Sequence, residues 1–217
     1  MPNGNPKSGP KPILLATGNN DKQQAFRRLL EGLPLSTVTP QDAGVGAVPD
    51  EAGDSHLAIA EDKAVQWSKA ASMLVIASDG GLVVPALGPL WESRHTHRFA
   101  GPAADDAERL ERLLELMRPF KGKDRAASWV EALAIADNGR VLASWELAGA
   151  SGMIANKRVG QGPVPEFWAL TVWRFPQFRK TYNQLTDEQR ESINDHWTRL
   201  RWLVHEFFES GSALTPE

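Results

Sequence analysis

Cysteine is absent from the 217 residues. That excludes disulfides, thiolate metal sites and a thiol nucleophile, and it suits a reducing compartment, so a cytoplasmic location is expected. An excess of either charge is also missing. A net charge of −3 offers no broad basic surface for gripping DNA or RNA, so no nucleic-acid partner is expected. No apolar run approaches the roughly 18 residues that a membrane helix needs, and no membrane association is expected. The opening MPNGNPKSGPKP has no apolar stretch of the signal-peptide kind; polar and rich in Pro and Gly, it predicts a disordered tail over 1–11. Tyrosine occurs once against eight tryptophans. Of these, Trp168, Trp173, Trp197 and Trp202 crowd the C-terminal third.

What is present is ordinary for a globular chain. A hydrophobic fraction of 41% and a charged fraction of 24% match average composition, and the length allows a sizeable core. One domain is expected over 12–209, with a flexible tail at 210–217. Residues 13–17 (ILLAT) predict a short strand that runs into Gly18-Asn19-Asn20-Asp21, after which Phe26, Leu29, Leu30 and Leu33 recur at helical spacing. Leu35 to Val38 predicts a second strand, 40–54 a loop rich in Pro and Gly, and Ser55 to Ala71 a helix. Residues 73–78 and 82–84 predict strands on either side of an Asp79-Gly80-Gly81 turn. The next regular element expected is an amphipathic helix over 104–118, followed by two strands over 128–136 and 140–148. Asp137-Asn138-Gly139 between those strands signals a hairpin. Gly149 to Phe178 has no clear period, and Thr186-Asp187-Glu188-Gln189 is a capping-box start for a last long helix to about Phe208. This order predicts an α/β protein with a mixed sheet.

Several groups have chemistry to offer. Thr17-Gly18-Asn19-Asn20-Asp21-Lys22 lies between a strand and a helix N-terminus, where free backbone N–H groups bind anions and a lysine adds charge for phosphate. The Walker spacing is absent, and the same residues also suit a plain turn and N-cap. Asp79 ends an apolar strand, where α/β proteins place ligand groups; it is equally what an Asp-Gly-Gly turn would use. Asp50-Glu51-Ala52-Gly53-Asp54 is an acidic loop, and Lys63 follows on the next helix. His95 and His97 have the i, i+2 spacing of a strand chelate, but no third ligand has a recognisable spacing, which weighs against zinc. Arg179-Lys180-Thr181, Arg190 and Asn194-Asp195-His196 are basic and polar groups that suit phosphates or a base edge, or simply a solvated face.

The order of these groups resembles the inosine triphosphate pyrophosphatase family, which hydrolyses non-canonical purine nucleoside triphosphates. The opening ILLATGNNDKQQAFRRLL is similar to that family's T-G-N-x-x-K strand-loop-helix. Glu51-Ala52-Gly53 and Lys63-Ala64 match its E-x-G loop and K-A helix, and the segment Ala77 to Gly88 matches A-D-D-S-G-L-x-V-x-A-L-G. Thr96-His97-Arg98-Phe99-Ala100-Gly101 follows like S-A-R-[YF]-A-G, and Lys180-Thr181 through Leu185-Thr186 like K-T-x-x-E-L-T. The resemblance spans about 12–208. It implies that fold, with a mixed central sheet flanked by helices and two lobes with a cleft between, and a homodimer.

By the same resemblance, Mg²⁺ is held by Glu51 and Asp79, and Asp79 is the catalytic carboxylate. Thr17, Gly18, Asn19, Asn20, Lys22, Lys63, Gly80 and Lys180 face the phosphates, and Glu166, Phe167, Arg190, Asp195 and His196 the base. The substrate implied is a nucleoside triphosphate or a related phosphorylated small molecule, cleaved to a nucleoside monophosphate and pyrophosphate. Departures are specific. The first aspartate of the pair is Ser78, the following serine is Gly80, and the helical E-N-A is Ala58-Ile59-Ala60. The base-cradling G-F-G-Y-D-P is Gly162-Pro163-Val164-Pro165-Glu166-Phe167, and S-H-R is Asn194-Asp195-His196. They imply altered base preference in an enzyme, and leave open a nucleotide-binding protein without turnover or a hydrolase of another phosphorylated metabolite.

Overall fold

The computed structural model describes residues 9–46, 53–96, 99–101, 103–161, 163–165 and 167–211. The predicted metal ligand Glu51, the predicted base-binding residue Glu166, the motif residue Arg98, His97, and most of both expected tails lie outside the described residues. Along the chain come β1 (Lys11–Leu15), α1 (Asn20–Leu30), β2 (Leu35–Val38), α2 (His56–Ala71) and β3 (Leu74–Val83). They are followed by α3 (Asp106–Leu116), β4 (Ala126–Asp137), β5 (Arg140–Ile154), β6 (Trp173–Phe175), β7 (Lys180–Thr181), α4 (Asp187–Ser192) and α5 (His196–Glu209). The strands form one sheet in the order β2-β1-β3-β4-β5-β6-β7. β1 is parallel to β2 and β3, and the pairs from β3–β4 to β6–β7 are antiparallel, so the expected mixed α/β sheet is present. No helix among the described residues is long and apolar enough to cross a membrane.

Local chemistry accounts for the elements. Ser55 caps α2 by accepting from the Ala58 N–H, and Asp105 with Glu108 forms a reciprocal capping box on α3. Asn138 and Gly139 both have positive φ, 48° and 80°, the backbone a two-residue hairpin turn needs to match strand twist. Alternation along the strands then sorts two faces. Ala60, Ala64 and Trp67 of α2 pack on Leu14, Val75, Ala77, Ala132, Ala134 and Ala136, small side chains that let the helix lie close to the sheet. On the other face Phe26 and Leu29 of α1 and Leu200, Val204 and Phe208 of α5 cover Ile13, Leu15, Ile76, Leu133 and Ile135. A separate core beyond Leu82 gathers Trp129, Trp168, Trp173, Phe175 and Tyr182 against Leu110 and Leu113 of α3 and its C-cap residue Met117. Trp168 and Trp173 are therefore interior, whereas Trp202 is exposed.

Four expectations need correction. The first strand lies two residues earlier than predicted, which leaves Thr17 in the loop after it. The strands over 73–84 are not divided by an Asp-Gly-Gly turn: β3 runs unbroken, with Asp79 opposite Ala132, Gly80 opposite Glu131 and Gly81 opposite Val130. Close approach is the reason for both glycines. A Cβ at position 80 would lie 2.7 Å from Glu131 Cδ and 2.8 Å from the Val130 carbonyl oxygen; one at position 81 would lie 2.7 Å from the Ser93 carbonyl carbon. The last long helix is interrupted, because Asn194 takes φ 50° and Asp195 starts α5 afresh by accepting from the Thr198 N–H. The unparsed segment from Gly149 begins as strand, with β5 reaching Ile154; Gly149 and Gly152 make room there for His196 and the Trp173 ring.

Candidate active site

The site forms where β1 ends beside the continuing strand β3, Leu15 lying opposite Ile76. The Ala16 N–H donates to the Ile76 carbonyl (2.9 Å), and the chain then leaves the sheet through Thr17 and Gly18 into α1. Thr17 Oγ1 accepts from the Asn19 N–H (3.1 Å), and Asn19 Oδ1 accepts from the Lys22 N–H (2.8 Å), so both side chains shape the turn. A Cβ on Gly18 would meet nothing within 4 Å, so the space above this turn is open. Asn20 is exposed in the first turn of α1, whose free N–H groups carry the positive end of the helix dipole. Lys22, one turn in, projects toward β3 and donates from Nζ to the Ser78 carbonyl (3.4 Å).

Asp79 points to the α2 face. His56 and Lys63, seven residues apart, are stacked on one side of that helix and both reach this carboxylate. His56 Nδ1 lies 2.5 Å from Asp79 Oδ2, and Lys63 Nζ lies 3.5 Å from Oδ1. The other ring nitrogen, His56 Nε2, is 2.9 Å from Ser93 Oγ. The Nδ1–H of the ring donates to Asp79. Burial acts to raise the Asp79 carboxyl, but the His56 hydrogen bond and the Lys22, Lys63 and His56 charges outweigh it and hold Asp79 below the usual carboxylate range. Asp79 is thus an anion with one oxygen committed to a histidine and the other beside an ammonium.

Through the sheet from Asp79 stands Glu131, on β4, side chain 1% exposed. Its Oε2 accepts from Trp129 Nε1 (2.7 Å), and its Oε1 lies 3.7 Å from Lys22 Nζ. From Trp129 a ladder of rings continues: His196 at 6.2 Å, then Tyr182 at 5.9 Å, then Trp173 at 4.9 Å, each pair 19° apart in plane. Phe167 meets Trp129 edge-on at 6.3 Å. Asp195 is buried, accepting from the Tyr182 hydroxyl (2.5 Å), and burial, with the Asp195 charge next, pushes that phenol far above its usual range. Burial keeps the His196 imidazole low, against the pull of Glu131 and Asp195. Arg190 lies over the Tyr182 ring at 5.3 Å, and Lys180 donates to Gln189 Oε1 (3.1 Å).

The predicted residues accordingly form two groups. Thr17, Gly18, Asn19, Asn20, Lys22, Lys63, Asp79 and Gly80 come together around the end of β1 and the middle of β3. Phe167, Arg190, Asp195 and His196 gather around Tyr182 and Trp129, with Asp195 and His196 inside the protein, and Lys180 is occupied with α4. Three residues of the site were missed by sequence reasoning: His56, Ser93 and Glu131. Glu131 had a visible signal, a lone carboxylate within the apolar run from Trp129 to Ala136. His56 had its seven-residue spacing from Lys63. Ser93 had none.

Divalent magnesium takes hard oxygen ligands and is commonly held by one or two carboxylates together with substrate phosphates and water. Asp79 fits that donor set in kind and charge, although among the described residues no group of three or more acidic or histidine side chains is placed to hold a metal.

Comparison with known proteins supplies the lineage. A dITP/XTP pyrophosphatase of Thermus thermophilus is 30% identical over 195 residues, covering 90% of this chain and 91% of that protein. One of Prochlorococcus marinus is 29% identical over 197 residues, covering 89% and 92%. The solved structure of a HAM1 protein from Coxiella burnetii superposes with a TM-score of 0.73 at 25% identity, covering 90% of this chain and 99% of that one. The Staphylococcus aureus Ham1 protein gives 0.72 at 25% identity, covering 93% and 100%. The Ham1 family profile matches residues 13–203, the span over which the sequence carries its resemblance, and the chain belongs to the Ham1 family.

Proposed function

We propose that the protein is a Mg²⁺-dependent nucleoside triphosphate pyrophosphohydrolase, releasing a nucleoside monophosphate and pyrophosphate, with a base preference of its own. The observation that carries it is one ionised carboxylate, Asp79, ion-paired with Lys63, hydrogen-bonded by His56 and kept ionised in part by the Lys22 charge. The relatives named as dITP/XTP pyrophosphatases support the substrate class.

A triphosphate laid over Gly18 meets the first N–H groups of α1 and the Lys22 ammonium, which offset charge on its oxygens. Lys63 neutralises the far side of Asp79, so two anions approach without full repulsion. His56 fixes the Asp79 rotamer by holding Oδ2, and Ser93 fixes the ring of His56 in turn. Asp79, together with Glu51, would hold Mg²⁺, which when bound supplies further charge neutralisation on the phosphates. Asp79 also accepts the proton of a water aligned on the phosphate linkage.

The altered base preference is supported by the interior. Asp195 and His196 are enclosed with Tyr182 and Trp129, so base recognition would fall to Phe167, Arg190 and residues near position 166. A cytoplasmic homodimer acting on small phosphorylated molecules agrees with the cysteine-free composition and the resemblance. The test is a panel of nucleoside triphosphates, including dITP and XTP, incubated with Mg²⁺ and followed by pyrophosphate release. Turnover that Asp79→Asn abolishes is expected. Thermal stabilisation by these nucleotides without any turnover would replace the proposal with a binding protein of the same fold.

A further inference from the structure

Glu131 takes no part in the chemistry just described, yet its environment is unusual. It is a buried carboxylate in an apolar strand, where desolvation is costly unless a charge and hydrogen bonds offset it. Trp129 Nε1 serves Oε2, but among the described residues Oε1 has no hydrogen bond, and the Lys22 ammonium lies 3.7 Å from it. Lys22 Nζ also reaches the Ser78 carbonyl, and Ser78 Oγ is a second buried atom without a hydrogen-bond partner among the described residues. Strand alternation puts Ser78 and Gly80 on the same face of β3, the face that Glu131 occupies across the strand pair; Asp79 faces the other way.

Three positions therefore fit together. Position 78 has a hydroxyl where a carboxylate would fit beside Lys22. Position 80 has no side chain, and any Cβ there would displace Glu131. Glu131 brings its carboxylate from the neighbouring strand into the room so left. We propose that Glu131 is the second carboxylate of the site, a positioning residue that pins the Lys22 ammonium beside the Ser78 carbonyl and presents it to the phosphates at a fixed point. The assignment rests on the phosphate-handling reading of this site.

Charge and position make opposite demands, and that separates this role from a structural one. Without the Glu131 charge the site is one unit more positive, so a free polyanion binds better; with Lys22 unpinned, turnover falls. Calorimetric titration with inorganic tripolyphosphate in the absence of metal is expected to give roughly tenfold tighter binding for Glu131→Gln than for wild type. The gain should vanish in Lys22→Met/Glu131→Gln. Turnover with Mg²⁺ and a nucleoside triphosphate should fall at least tenfold in Glu131→Gln, chiefly in kcat. It should recover to within a few-fold in Ser78→Asp/Glu131→Gln, which moves the carboxylate to the adjacent strand on the same face. Glu131→Asp, which keeps the charge but draws it back by a methylene, should shift both quantities in the same directions by less, and it serves where Gln unfolds the protein. Equal tripolyphosphate affinity in folded wild type and Glu131→Gln overturns the assignment alone. No binding by either protein overturns it together with the proposed function.

Discussion

Replacing Gly80 by alanine tests the packing on which the site depends. The new Cβ would lie 2.7 Å from Glu131 Cδ, 2.8 Å from the Val130 carbonyl oxygen and closer still to Glu131 Oε2. Overpacking of this kind costs about 1–3 kcal/mol. Pushing the carboxylate aside also breaks its bond from Trp129, and a hydrogen bond to a charged group contributes about 1.5–3 kcal/mol. A total near 3 kcal/mol lowers the melting temperature of a chain this size by about 6–12 °C. The clash has two sources, one removable. In a Glu131→Ala background the two nearest of these atoms are gone and the Val130 carbonyl oxygen stays at 2.8 Å, a backbone atom that shifts at a cost of about 1 kcal/mol. The double-mutant cycle, read by thermal or urea unfolding, should therefore show that Glu131→Ala relieves about 2 kcal/mol of the Gly80→Ala penalty. An equal penalty in both backgrounds, or none in either, would refute the claim that Gly80 exists to admit Glu131.

Three further outcomes follow from the charges and rings. Asp79 is held below its ordinary 3.8, so its stabilisation is present at neutral pH and is lost as pH falls through the lowered value; Asp79→Asn should melt below wild type at pH 7, and the gap should close in acid. Tyr182 is the one tyrosine in the chain and its phenol is pushed up, so alkaline titration should show no phenolate absorbance while the protein stays folded. The unfolded phenol ionises near 10, so stability should decline above that pH; phenolate appearing before unfolding would contradict the burial of the Tyr182–Asp195 bond. Lys22→Met should raise KM for a nucleoside triphosphate about tenfold or more with the fold intact, and an unchanged KM would remove Lys22 from the phosphate site.

Much of the scaffold is written in local patterns. Helical spacing marks α1, α2 and α3, Asn138-Gly139 marks the hairpin, and the phosphate loop stands where an apolar run meets Gly18-Asn19. These signals are legible because each depends on neighbours in the chain. Gly80 and Gly81 were misread as a turn because their cause lies elsewhere, in Glu131 and Ser93. Asn194 broke the last helix because asparagine tolerates positive φ, a preference that helical periodicity does not register. Asp195 and His196 read as base-facing or solvated groups because nothing in their own stretch announces Tyr182 and Trp129 as partners. The site shows the same division: Asp79, Lys22 and Lys63 sit in recognisable surroundings, while His56, Ser93 and Glu131 acquire meaning only once α2, the segment after β3 and β4 converge.

The most direct test of the account is the position of bond cleavage. Hydrolysis of dITP with Mg²⁺ in ¹⁸O-labelled water, resolved by phosphorus NMR and mass spectrometry, should yield nucleoside monophosphate and pyrophosphate from the wild type and neither from Asp79→Asn. Release of nucleoside diphosphate and inorganic phosphate, or equal turnover by Asp79→Asn, would contradict it.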